Sequence, residues 1–123
     1  MKRRDFVLLL MLSAIAPLAK AGAWESGSFD NDDAQDWAAQ CARSKGSVFV
    51  SSTLSAVLAE GYVEAPECSA AIAAAEVVAA AKGRPSASLP KELSVWLAQQ
   101  QKNEITKLAP VASKAMLRVL NGW

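Results

Sequence analysis

The stretch PECSAAIAAAEVVAAAKG, residues 66–83, decides the fold. It has a proline at its start, a glycine at its end and a run of alanines with small apolar residues between. Proline is favoured in a first helical turn and glycine just past a last one, so the spacing predicts a helix from about Pro66 that ends before Gly83. The expected inward face is Cys68, Ala71, Ile72, Ala75 and Ala79. Side chains that small let a neighbouring helix approach closely. Between Ser69 and Ala81 the single charge is Glu76, eight residues after Cys68 on the edge of the presumed buried face. A carboxylate held there needs a partner, such as the Trp24 or Trp96 indole N–H or a basic side chain, unless it is exposed to solvent.

Working outward, the other segments also repeat at helical spacing. Asp30 or Asn31 can cap a first helix, and Asp32 and Asp33 then lie in its first turn, where the helix dipole favours carboxylates. Ala34, Trp37, Ala38 and Cys41 follow at i, i+3, i+4 and i+7 and form its buried stripe. A second helix is expected from about Ser47 to Glu60, with Val50, Leu54, Val57 and Leu58 inward and Gly61 as its stop. Val48-Phe49-Val50 could start a strand, but the serines and the spacing beyond favour the helix. After the loop Arg84-Pro85-Ser86-Ala87-Ser88, Pro90 opens a fourth helix with Leu93, Trp96, Leu97 and Gln100 on one face. Asn103 can cap a fifth. Its apolar residues, Ile105, Leu108, Ala109, Ala112, Met116, Val119 and Leu120, keep the period through Pro110, so a kinked helix is expected. The fold class is therefore all-α: one compact bundle of about five helices, with the glycine-rich N-terminal segment packed on it.

The chain has 123 residues, and the first 21 have the three parts of a secretory signal. Lys2, Arg3 and Arg4 charge its start, Phe6 to Leu18 is apolar, and small Ala19 and Ala21 precede the expected cut. The apolar run of 13 residues is short of the roughly 20 that a spanning helix needs, so a removed signal is expected and no membrane anchor after cleavage. Arg3-Arg4 followed by Asp5-Phe6-Val7 resembles the twin-arginine export motif, though Lys2 and Leu8 depart from it, and the general secretory route stands beside it. The expected location is the periplasm or the medium. Residues 22–123 form one helical domain, too short for two.

Losing four bases and one acid with the signal moves the net charge from +1 to −2. Between Glu25 and Glu76 there are nine acids against Arg43 and Lys45, whereas Lys82 to Arg118 holds seven bases against Glu92 and Glu104. Either the domain has a negative and a positive side, or ordinary solvated faces differ in charge. An acidic, exported protein is a poor nucleic-acid binder, and Lys107, Lys114 and Arg118 read as one solvated helix face. The two cysteines, Cys41 and Cys68, both lie on inward stripes, and an oxidising compartment favours a bond between them. Such a staple would stabilise by roughly 3 to 4 kcal/mol; two buried free thiols are the alternative.

Together these residues resemble the bacterial family known as domain of unknown function 4259. Its opening pattern is matched by Gly22, Trp24, Gly27, Phe29, Asp30, Asn31, Asp32, Asp36 and Trp37, in that order. Its middle is matched by Glu64 to Glu67, Ala73 to Ala80, Gly83, Pro85 and Leu89-Pro90. Members commonly begin at the glycine, without an export signal, whereas here the expected cut places Gly22 at the new terminus. The resemblance supports a single helical domain and implies no particular activity.

For chemistry the sequence offers little. There is no histidine, which removes Ser-His and Cys-His systems and the usual zinc ligand. A calcium loop begun at Asp30 would place Ala34, Gln35 and Cys41 where a ligand, glycine and glutamate belong, so that template fails. Asp30, Asp32, Asp33 and Asp36 are better explained by helix initiation than by a metal, and no metal or cofactor is expected. Ser88-Leu89-Pro90-Lys91 matches a Ser-x-x-Lys pattern without the other elements of that machinery. Paired carboxylates, Glu64 with Glu67 or Glu76 with Asp36, are the remaining catalytic possibility. Trp24, Phe29 and Trp37 form either an aromatic binding patch or, by folding back, a cover over the bundle. The expectation is a non-enzymatic binding protein with a protein partner, most simply an immunity-type protein against a toxin delivered to the periplasm. An envelope hydrolase and a structural or ligand-binding bundle are the alternatives.

Overall fold

The computed structural model describes residues 27–122, so the expected signal over 1–21, Gly22 and Trp24 lie outside the described residues. The described chain is all-helical: α1 Asp32–Ala42, α2 Val48–Ala56, α3 Ala65–Ala81, α4 Lys91–Ala98, α5 Lys102–Thr106 and α6 Ala109–Gly122. No strand occurs among the described residues, and Val48-Phe49-Val50 begins α2.

Helix α3 lies at the centre, in contact with every other helix. Its 17 residues span roughly 25 Å at 1.5 Å per residue. Both ends are closed by its own sequence. At the start Glu64 and Glu67 form a reciprocal capping box, with the Glu64 N–H donating to Glu67 Oε1 at 3.1 Å. At the end Gly83 takes a left-handed φ of 93°, and the Arg84 N–H reaches back to the Ala79 carbonyl at 2.9 Å. That is the Schellman closure, for which glycine is suited because it has no Cβ to clash.

The expected face of α3 is corrected in one respect. Cys68 and Ala71 are buried as expected, but Ile72, Ala75 and Ala79 are half-buried while Ala73, Ala74, Val77, Val78 and Ala81 are also buried. The buried residues share one side of the helix, with Ala71, Ala74, Val78 and Ala81 at i, i+3, i+7 and i+10 and Ala73 and Val77 beside them, so the expected face is rotated away from the true one. Small apolar residues on both sides give the sequence little contrast.

The flanking helices supply the bulk. Ala34, Trp37, Ala38 and Cys41 of α1 are all buried, as their spacing predicts. Val50, Leu54 and Val57 are buried too, whereas Leu58 is 38% exposed. Helix α2 stops at Ala56, so the helical period that would have turned Leu58 inward no longer applies. The expected kinked fifth helix is two helices, α5 and α6, separated at Lys107 and Leu108. Pro110 stands second in α6, where an N–H would have no helical partner, so it opens a helix instead of bending one. Ile105, Leu108, Ala112, Met116 and Val119 still face the core, while Leu120 does not.

Cys41 and Cys68 are free, buried thiols in the structure, so the staple expected between them is not formed there. Each fills core space as a small apolar side chain would. Burial pushes the Cys41 thiol up from 9.0 to about 12, against a small opposing effect of a hydrogen bond with Ser44. Burial also raises Cys68, helped by neighbouring Glu67 and opposed by Arg118.

Two outcomes follow for stability. Ala74 is fully buried, and Ala74→Leu should cost about 1–3 kcal/mol by overpacking, lowering Tm by several degrees; an unchanged Tm would mean slack around α3. For Cys41 the unfolded thiol releases its proton at lower pH than the folded one, so over this interval the unfolded state binds fewer protons. Its contribution is complete below pH 9.0 and is lost as pH rises toward 12, because proton release favours unfolding. Denaturant midpoints at pH 8 and 11 should fall further in the wild type than in Cys41→Ala, and parallel falls would contradict the assignment.

Candidate functional site

The acid cluster is a helix start. Asn31 is the cap, its Oδ1 accepting from the Ala34 N–H at 2.8 Å, and Asp32 and Asp33 occupy the first turn. Asp30, Asp32, Asp33 and Asp36 are all exposed. No group of three or more acids or cysteines is arranged to hold a metal ion among the described residues.

Phe29 and Trp37 are core residues rather than an exposed aromatic patch. The backbone turns at 27–30, where the Asp30 N–H donates to the Gly27 carbonyl at 3.1 Å, and Gln35 Nε2 holds the Phe29 carbonyl at 3.2 Å. Ser28 and Phe29 are thereby tucked against the bundle. Trp37 stacks on Phe49 with centroids 5.5 Å apart, and its Nε1–H donates to Thr53 Oγ1 at 2.7 Å. The indole is both a large apolar filler and a polar tie from α1 to α2.

Glu76 has a partner that sequence reasoning did not single out. Ser28 Oγ donates to Glu76 Oε2 at 2.8 Å across 48 residues, joining the opening turn to the middle of α3. The Trp96 indole proposed for that role donates instead to the Ser44 carbonyl at 2.7 Å. Of the conceivable catalytic acids, Glu64 and Glu67 are engaged with each other's backbone in the cap of α3. Cys41 and Cys68 are buried and their thiols held protonated, the opposite of an activated nucleophile.

A different region emerges as the candidate. Arg118, expected on a solvated face with Lys107 and Lys114, is half-buried and donates from Nε to the Val57 carbonyl at 3.1 Å and from Nη2 to the Gly61 carbonyl at 2.6 Å. It therefore clamps the end of α2 and the following loop onto α6. Cationic groups suit the orphan carbonyls at a helix end. Exposed apolar side chains adjoin the joined residues in sequence: Leu58 follows Val57, Tyr62 follows Gly61 and Leu117 precedes Arg118, while Leu120, two residues further along α6, lies on another side of that helix. Tyr62 is 87% exposed, Leu117 60% and Leu120 41%. Gly61, at φ 104°, supplies the backbone turn that presents Tyr62. Sequence spacing could have marked Leu117 as off the inward stripe, but only the long-range Arg118 contacts tie its helix to the Tyr62 loop.

Among known proteins, no curated protein and no solved structure matches this chain. One family does, described as Domain of unknown function (DUF4259), and its match runs over residues 22–122. That interval includes the capped aspartates, the central alanine helix and the Arg118 clamp, and the chain belongs to this family.

Proposed function

We propose that the protein is an exported binding module of the immunity type, which occludes a toxin in the periplasm through the surface around the Arg118 clamp. The observation that carries this reading is the placement of Tyr62. It is almost fully exposed on a loop whose Gly61 carbonyl is fixed by Arg118, with exposed Leu58 and Leu117 next in sequence to residues that the clamp joins. Tyrosine is among the residues that dominate binding energies, and an anchor already held in place spends little entropy on docking. Exposed Glu64 and Glu67 stand at the start of the central helix, with exposed Glu60 in the loop that leads to it, and supply charge for steering toward a basic partner.

Export is supported by the family match beginning at Gly22, directly after the expected cut. Residues 1–21 lie outside that match, as a leader would. The rival reading, hydrolysis by paired carboxylates, gains no support from acids engaged as Glu64, Glu67 and Glu76 are.

The test is protection. Cells given the toxin encoded nearest to this chain, directed to the periplasm, should survive with the wild type. Tyr62→Ala combined with Leu117→Ala should weaken toxin binding about thirtyfold, as loss of a hot spot of about 2 kcal/mol does, with an unchanged circular dichroism spectrum. Equal protection by the double variant would remove this surface from the reading, and no protection by the wild type would remove the immunity role.

A further inference from the structure

At the other end of α3 lies a second feature, a cleft of about 390 Å³. Its origin is architectural. Helix α4 docks mainly on α1 and only lightly on α3, so the end of α3, the loop 84–90 and α4 surround a gap. The lining is chiefly apolar, with Ala80, Ala81, Pro85, Leu89 and Leu97, and Lys102 stands at its edge. Its α4 wall is fixed from behind: Trp96 Nε1 donates to the Ser44 carbonyl at 2.7 Å, and Gln100 Oε1 accepts from the Gly46 N–H at 2.8 Å. The Gln100 amide also donates to the Trp96 carbonyl at 3.0 Å. The cleft is thus preformed, and its volume lies in the range of small-molecule sites.

Charge is distributed unevenly around it. Lys82 follows Ala81, Arg84 precedes Pro85, Lys91 lies two residues after Leu89, and Lys102 is part of the lining. All four are exposed, and none has an ion-pair partner among the described residues. From Lys82 to Asn103 the single acid is Glu92. An apolar trough lined by Lys102, with three further exposed bases next or near in sequence to its lining residues, is complementary to one kind of occupant.

We propose that this cleft binds a single-chain anionic amphiphile, its hydrocarbon tail lying on Leu89, Leu97 and the alanines and its head group against Lys102 and the neighbouring bases. Burying the tail supplies the non-directional part of the affinity, and the rim supplies the preference for negative charge. The head group chemistry shared by such ligands is a carboxylate or a phosphate monoester. This site is separate from the Arg118 surface and does not depend on it.

Calorimetric titration of the purified protein tests it, with amphiphiles kept below micelle formation. Dodecanoate should bind in a one-to-one ratio and at least about tenfold tighter than dodecyltrimethylammonium, which has the same tail and the opposite charge. Acetate, a head without a tail, should give no measurable binding. Dodecyl phosphate run alongside assigns the head group, and a preference for either anion over the cation supports the proposal. Arg84→Glu with Lys102→Glu, both at exposed positions, should weaken dodecanoate about tenfold, and Ala98→Phe, which fills the cleft from an exposed lining position, should abolish binding. Equal affinity for anionic and cationic chains, no binding of either anion, or wild-type affinity in Ala98→Phe with an unchanged Tm would overturn it.

Discussion

The packing of neighbouring helices against the alanine-rich surface of α3 is the contact on which the rest of the structure depends. Alanine contributes little apolar area by itself, but it lets helix axes come close, toward the short end of the usual 8–10 Å. Ala71, Ala73, Ala74, Val77, Val78 and Ala81 bury one side of α3 completely, while Ile72, Ala75 and Ala79 on the other side are half-buried. Bulk then has to come from the ring. Trp37, Leu54, Leu93, Trp96 and Ile105 supply it from α1, α2, α4 and α5. The arrangement leaves no space for a larger residue at the centre and none for an unpartnered charge, which is why the single carboxylate in the middle of α3 meets the Ser28 hydroxyl.

Short helices need further support in such a bundle. Helices α2 and α4 have nine and eight residues, below the length at which isolated helices persist in water. Each is held by polar ties to distant backbone or side chains. Thr53 receives the Trp37 indole N–H, Trp96 and Gln100 tie α4 to the Ser44 and Gly46 backbone, and Arg118 takes the carbonyls at the end of α2. These ties satisfy groups at helix ends and loops that would otherwise be left without partners inside the fold. They also fix the orientation of the surfaces on which function would rest, the Tyr62 loop at one end of α3 and the α4 wall of the cleft at the other.

How much of this the sequence discloses depends on the range of each interaction. Caps and stripes are local, so the Asn31 start, the four inward residues of α1, and Leu93 with Trp96 in α4 could be read directly. The face of α3 could not, because alanine and other small apolar residues on both sides of the helix give little periodic contrast. The break between α5 and α6 was hidden for a related reason: the apolar period continues through Pro110, and a proline in a new first turn looks the same in sequence as a proline in a kink. Arg118 and Glu76 were illegible in a stronger sense. Their partners, Val57, Gly61 and Ser28, lie 61, 57 and 48 residues away, and nothing local encodes the pairing.

The same distinction of range explains where the charges went. The acid-rich and base-rich halves of the sequence are not wholly separated, since Arg118 is held at Val57 and Gly61, but charges of opposite sign do mark the two ends of α3. It begins at Glu64 and Glu67 and ends at Lys82 and Arg84, with roughly 25 Å of uncharged helix interrupted by Glu76 alone. That separation is well beyond the Debye length of about 8 Å at physiological salt. The two ends therefore act on their surroundings independently. An acidic rim near Tyr62 would favour cationic partners without weakening the attraction of bases at the other end for anions, so a single small domain could present two recognition surfaces of opposite preference.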